Sequence, residues 1–238
     1  MRLHDFSTLT FDCYGTLIDW EQGLLQALAP LLRAGNVALP PAEVLAEFGR
    51  RESAQEEATP GMRYPQLLAV VHRQLAEHWG VTLPETAHMA FGNSVPDWPA
   101  FPDSAAALQY LKRHYRLVIL SNVDRTSFAA SNDRLGVHFD LVCTAEDIGS
   151  YKPDPRNFAY LIAALGKLGV AKREILHTAQ SLHHDHAPAQ AAGLASCWID
   201  RRHEQQGFGA TRPPPATPRY DFRFVSLAAL AAAHAAET

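Results

Sequence analysis

The chain is predicted to fold as an α/β protein, a doubly wound, Rossmann-like parallel sheet with a helical domain inserted after its first strand. Three observations predict this. Short strand-like runs recur along the chain, helix-patterned segments separate the later ones, and roughly a hundred residues without a convincing strand follow the first. The runs are Thr8 to Cys13, Leu117 to Ser121, Leu141 to Ala145, Ile175 to Ala179 and Ser196 to Asp200. The second is almost wholly apolar, as expected of a strand covered on both faces of a parallel sheet.

The later helices follow from spacing and punctuation. Asp103 to His114 places Ala107, Leu108 and Leu111 on one face, with Pro102 before it as a start signal. Pro155 to Leu168 carries Phe158, Leu161, Ile162 and Leu165 at helical spacing. Ala187 to Ala192 is short and ends at Gly193, a suitable C-terminal cap. Within the strand-free interval, Trp20 to Ala34 bears the stripe Leu24, Leu25, Leu28, Leu31 and Leu32. Ala42 to Glu57 and Tyr64 to Trp79 are patterned likewise, and a weaker helix is expected from Pro84 to Ser94. The expected division is therefore a core of residues 1–18 and 98–238, with 19–97 as the inserted helical domain. After the Pro-rich stretch Arg212 to Pro218, read as an exposed loop, a strand-like Asp221 to Val225 and a short helix complete the chain.

Composition bounds the function. With 47% hydrophobic and 19% charged residues the chain resembles an ordinary globular enzyme. A formal net charge of -4 and scattered Lys and Arg give no footprint for nucleic acid or an anionic membrane surface. Cys13, Cys143 and Cys197 are far apart, lie in or beside apolar runs and lack Cys-x-x-Cys spacing, so buried free thiols in a reducing compartment are expected. No signal-peptide pattern opens the sequence, and Leu227 to Ala236 is too short to span a bilayer, so a cytoplasmic location is expected.

In an open parallel sheet, ligands bind beyond the carboxyl ends of the strands. Those ends carry Asp12-Cys13-Tyr14-Gly15-Thr16-Leu17 after the first strand and Ser121-Asn122 after the second. Tyr151-Lys152-Pro153-Asp154 follows the third, and Gln180 to Asp185 follows the fourth. Singly, an Asp at a strand end is a common turn or cap residue and a Lys a common solvated charge. Together in one layer they form a candidate active site.

The run Phe11 to Leu17, then Leu120-Ser121-Asn122, then Tyr151-Lys152-Pro153-Asp154-Pro155 resembles the first three motifs of the haloacid dehalogenase superfamily. The inserted helices sit where that family places its cap. Phosphatases of this type resemble Asp-x-Asp-x-Thr, whose second Asp shuttles a proton to the leaving alcohol. Here that position is Tyr14, whose phenol is a poor substitute, since its pKa lies near 10. The pattern through Asp19 is similar to the type II (L-)2-haloacid dehalogenases, whose halide leaves without an acid. Gln180 stands where many phosphatases place an Asp that helps hold magnesium.

The resemblance implies displacement in two steps: Asp12 attacks the halogen-bearing carbon of a short 2-haloalkanoate, and water then hydrolyses the ester to a 2-hydroxy acid. It implies that Lys152 holds Asp12 ionised, that Thr16, Ser121 and Asn122 donate to the nucleophile or the substrate carboxylate, and that Asp185 orients water or pairs with Lys152. For the halide cradle it implies Asn122 with Tyr14 and a cap arginine, here Arg50, with Arg51 next to it. No metal or other cofactor is expected; the alternatives are a Mg²⁺-dependent phosphatase of the same fold and a relative with altered or lost activity. The partner implied is a small halogenated acid, with a homodimer suggested by the family.

Some residues depart from that pattern or compete with it. Dehalogenases of this kind show a Ser and an Asn after the fourth strand, where this chain has Gln180 and Leu182. His183, His184 and His186 flank Asp185, but adjacent side chains diverge, and packing of one of them against substrate or cap is expected rather than metal binding. Trp20, Tyr64 and Trp98 are candidates for an apolar wall that excludes water.

Overall fold

A computed structural model describes residues 1–237. The apolar runs become six strands: β1 (Thr8–Phe11), β2 (Arg116–Ser121), β3 (Leu141–Thr144), β4 (Ile175–Ala179), β5 (Ala195–Ile199) and β6 (Phe222–Phe224). All neighbours pair in parallel, in the order β3-β2-β1-β4-β5-β6. The two-residue period explains the double burial: Leu117 and Ile119 of β2 pack into the cluster on one face, Val118 and Leu120 into the cluster on the other. The chain steps outward from β1 to β3, then returns to the far side of β1 at β4. That reversal opens a crevice at the carboxyl end of the central strand, where Phe11 stands level with Ile119 and Thr178.

Between β1 and β2 the chain forms α1 (Trp20–Ala34), α2 (Pro41–Ala58), α3 (Tyr64–His78) and α4 (Glu85–Gly92), with α5 (Ser104–Leu111) leading into β2. The leucine stripe of α1 is buried at Leu24, Leu28 and Leu31, and Asp19 caps it by accepting from the Gln22 amide. The two linkers to these helices run side by side. Ile18 bridges Ala100, the Asp19 amide donates to Pro99 O at 2.8 Å, and the Phe101 amide donates to Leu17 O at 3.0 Å. Trp98 packs so closely on Gly23 that a Cβ there would lie 2.4 Å from its ring.

The remaining helices are α6 (Arg125–Leu135), α7 (Ala145–Ile148), α8 (Pro155–Lys167), α9 (Ala187–Ala191) and α10 (Leu227–Ala236). The apolar pattern does not predict α6, whose buried face is Ser127, Phe128, Ser131 and Leu135. Its ends carry the signal instead: Asp124 accepts from the Thr126 and Ser127 amides, and Gly136 closes the helix at φ 60°. One turn of π-helix, Leu182–His186, precedes α9.

Beyond β5 the chain climbs back to the inserted helices. Arg202 pairs with Glu21 of α1, whose second oxygen accepts from the Ala210 amide at 2.8 Å. Gly49 of α2 lies against the Ala210 carbonyl, and Arg212 pairs with Glu57 of α2 at 2.6 Å. All three cysteines are buried and free, and among the described residues no helix is long and apolar enough to cross a membrane.

Candidate active site

Asp12 leaves the sheet one residue beyond β1, its amide still donating to Thr178 O at 3.1 Å. The tight turn behind it depends on Gly15, at φ 90°, where a Cβ would meet Trp20 and Gln180 at 3.0 and 3.2 Å. Thr16 then folds back, donating to Asp12 Oδ2 at 2.8 Å while accepting from the Gln180 amide at 2.9 Å. One hydroxyl thus ties the Asp12 carboxylate to the loop after β4.

Lys152 supplies the second fixed point. Its side chain is 1% exposed, and its three ammonium protons go to Asp12 Oδ1 (2.9 Å), Asp185 Oδ1 (2.7 Å) and Leu120 O (2.9 Å). Asn122 grips the Lys152 backbone at two points: Oδ1 accepts from its amide at 2.7 Å and Nδ2 donates to its carbonyl at 3.0 Å. Asp185 comes from the π-turn and is held from below by His177 of β4, which reaches its Oδ1 at 2.9 Å and Thr10 Oγ1 at 2.9 Å. Asp185 Oδ2 and Ser121 Oγ are buried with no partner among the described residues. Both residues line the cavity, so those atoms are available to a ligand or water.

Burial pushes Asp12 above the ordinary carboxylate value, with the Lys152 ammonium and the Thr16 hydroxyl opposing it. Burial also works to raise Asp185, but Lys152 and the His177 hydrogen bond override it and hold this carboxyl well below the usual range. Burial would depress Lys152, yet the two carboxylates more than offset that and keep it firmly protonated.

The cavity above Asp12 is small, about 40 Å³, and is walled by Tyr14, Trp20, Tyr64, His184 and Thr211 together with Glu52 and Glu56 of α2. Of the three aromatics expected in an apolar wall, Trp20 and Tyr64 line the cavity. Trp98 lies behind instead, 1% exposed and edge-on to the Tyr14 ring at 5.5 Å. Burial depresses the His184 imidazole to about 3, so it lines the wall as a neutral ring. His186 is consumed by Ser196 and the Ala179 carbonyl, away from both the cavity and the inserted helices.

The arginine of the expected halide cradle needs correction, while Asn122 and Tyr14 do line the cavity. Arg50 faces outward: its side chain is 63% exposed, and its guanidinium donates to Glu47 at 2.7 and 3.0 Å. It lines an outer groove with Phe208 and Pro213, because its place on α2 directs it away from the sheet. Arg51 is likewise held by Glu47, at 2.6 Å. Asn122 reaches the cavity, but its Nδ2 is shared between the Lys152 carbonyl and Glu56 Oε1 (3.1 Å), so no proton is left for a halide. The Tyr14 ring lines the cavity while its hydroxyl pairs with Ser131 of α6 at 3.0 Å.

In place of an arginine the insertion presents two acids. Glu52 is 4% exposed and accepts from the Tyr64 hydroxyl at 2.6 Å; Glu56 is 6% exposed and accepts from Asn122. Sequence reasoning missed both. Their signal was there: Val44, Phe48, Glu52 and Glu56 recur every fourth residue, so the acids continue the buried stripe of α2. His177, a lone ionisable group in a wholly buried strand, was also missed.

The donor set suits Mg²⁺ poorly. The Lys152 ammonium occupies the space between the two carboxylates, and the neutral amide of Gln180 accepts from Thr211 at 3.3 Å. Among the described residues no three His, Cys, Asp or Glu side chains converge as a metal cluster.

A family model described as haloacid dehalogenase-like hydrolase matches residues 6–193. An (S)-2-haloacid dehalogenase of Pseudomonas putida is 24% identical over 207 residues, covering 82% of this chain and 84% of that protein. A phosphoglycolate phosphatase of Photorhabdus laumondii is 29% identical over 196 residues, 80% and 79% of the two chains. Among solved structures, the L-2-haloacid dehalogenase of Xanthobacter autotrophicus superposes with a TM-score of 0.73 at 19% identity, covering 95% of this chain and 97% of that one.

Proposed function

Because the chain belongs to the haloacid dehalogenase-like hydrolases, we propose that it displaces halide from short 2-haloalkanoic acids through an ester on Asp12. The observation that carries this reading is Tyr14. Two residues after the nucleophile, where a phosphatase would need a carboxylate to protonate its leaving alcohol, stands a phenol whose hydroxyl is engaged by Ser131. Burial raises that phenol well above its ordinary value, so it gives up no proton at neutral pH. The favoured leaving group is therefore one that departs as a stable anion.

In the first step an Asp12 oxygen forms a bond to the α-carbon as the carbon–halogen bond breaks and halide takes the electron pair. Lys152 and Thr16, each on one carboxylate oxygen, aim the nucleophile and favour its ionised form. In the second step water attacks the Asp12 carbonyl and frees the 2-hydroxy acid. The free Oδ2 of Asp185 is the acceptor for that water, while Lys152 stabilises the oxyanion that develops on Asp12. Residues 1–18 and 98–238 act as the catalytic core and 19–97 as the cap that roofs it. The small cavity favours two- and three-carbon substrates. No step needs a metal.

The test is halide release from a panel of 2-haloacids by EDTA-treated protein, with Asp12→Asn run in parallel. Release that is lost in the variant is the expected result. Release from no haloacid, with Mg²⁺-dependent phosphate release from small phosphate esters, would refute the proposal and favour the chemistry of the phosphatase relative.

A further inference from the structure

A 2-haloacid is anionic, and so is the halide that leaves it, yet the cavity offers neither a cation to spare. The lining residues include four acids, Asp12, Glu52, Glu56 and Asp185, the neutral His184, and one cation, Lys152, whose ammonium protons are all committed. An anion entering this space must meet neutral hydrogen-bond donors or be repelled.

We propose that Glu56, acting as a neutral carboxylic acid, is the cap residue that receives the anionic group of the ligand. The inference rests on the halide-displacement reading for its chemistry, but the binding it predicts is independent of turnover. Glu56 Oε1 accepts from Asn122, leaving Oε2 to carry the proton, with no other partner among the described residues. The unpartnered Ser121 hydroxyl lines the same cavity and supplies a second donor. These two groups do by proton donation what a guanidinium would do by charge.

The surroundings favour the acid form. From its own helix Glu56 faces Glu52 and Glu57, from α3 Tyr64, and from the loop after α7 Tyr151 and Lys152. Asp12, Asp185, His183 and His184 stand around the same space. Lys152 is the cation that bears on it, and its protons are already taken by Asp12, Asp185 and a carbonyl. Burial, reinforced by the Glu52 charge, pushes Glu56 well above the usual carboxylate range, while burial brings Glu52 to about 7. When halide departs it takes the carbon–halogen electron pair and accepts a hydrogen bond from Oε2–H; the proton remains on Glu56. When the ligand's carboxylate is the anion held, the same O–H donates to it and no bond is broken.

The consequence is an affinity for small anions that falls as pH rises and Glu56 ionises. The test measures binding of propionate and of bromide, separately, by isothermal titration at pH 6 and pH 9. Wild type, Glu56→Gln and Glu52→Gln are compared, so that substrate carboxylate and leaving halide are told apart and no turnover is needed. Wild type should bind one or both anions at least about tenfold more tightly at pH 6, since one tenfold step corresponds to one unit of ionisation. Glu56→Gln, a permanently neutral donor, should lose that dependence and exceed wild type at pH 9 by a similar factor. Equal wild-type affinity at both pH values would overturn the assignment, as would removal of the step by Glu52→Gln alone. Tighter binding of propylammonium than of either anion would also overturn it, by showing that the two acids work ionised. Anion binding that behaves as predicted in a protein inactive on every haloacid would sustain this inference while removing the proposed reaction.

Discussion

Replacing Lys152 with methionine keeps the stem and removes the ammonium, leaving Asp12 and Asp185 buried together. A buried carboxyl without a partner avoids the cost of its charge by binding a proton. Holding one protonated at pH 7, when its unfolded value is near 3.9, costs about 4 kcal/mol at 1.36 kcal/mol per unit. That agrees with the roughly 3–5 kcal/mol seen when one partner of a buried ion pair is removed. At about 2–4 °C per kcal/mol for a chain of this size, Tm should fall by about 8–16 °C at pH 7.

The sign with pH is distinctive. In the wild type, Asp185 is held below its ordinary value, so its contribution is present above about pH 4 and is lost as pH falls through the folded value. In Lys152→Met the orphaned carboxyls are raised, so the variant loses stability as pH rises above about 4. The gap between the two proteins should therefore shrink to about 1.5 kcal/mol at pH 5, an acidity at which a protonated carboxyl costs little. Differential scanning calorimetry of both proteins at pH 5 and pH 7 measures it. A deficit equal at the two pH values, or below about 3 °C at pH 7, would refute the view that Lys152 is the counter-charge of this pair. Halide release should fall by about 10²–10³-fold at pH 7, as the nucleophile loses its charge partner and the ester its oxyanion stabiliser.

Arg50→Ala should leave halide release within about twofold and stability within about 0.5 kcal/mol, because the guanidinium pairs with Glu47 in solvent; a tenfold fall in kcat/KM would place it at the substrate after all. Gly49→Ala would set a Cβ 1.9 Å from the Ala210 carbonyl oxygen, which is backbone and cannot swing aside. The expected cost is about 1–3 kcal/mol, seen as a lowered Tm, and an unchanged melting curve would show that α2 and the segment beyond β5 are not in firm contact.

The sheet and the charged centre were legible because their signals are local. Most strands are short, largely apolar runs, and Asp12, Asp185 and Lys152 follow strand ends by one, six and eight residues. Asp12, Lys152 and Asp185 therefore converge on one ammonium as the topology requires. The roof was less legible because it depends on how a helix is turned. On α2, Arg50 and Glu52 are separated by about 200° around the axis, so an error of two positions exchanges a solvated residue for a cavity wall. Burial of a polar stripe was the clue, and it becomes decisive only once Phe48 and Val44 are known to face inward. The helix α6 escaped for a different reason: with few apolar residues, it is specified mainly by the residues at its two ends.

The side-by-side linkers at Ile18 and Ala100 bear on how a protein of this design diversifies. The chain leaves the sheet and returns to it through one zipped doorway, so the ends of the excursion are already closed whatever lies between them. Doubling the length of such an excursion adds only about 0.6 kcal/mol of closure entropy. Helices can therefore be exchanged, lengthened or recoloured beyond the doorway without shifting the carboxylate a few residues before it. Such a design can keep the carboxylate with the sheet and let the choice of molecule travel with the insertion, which is where this chain places two buried acids.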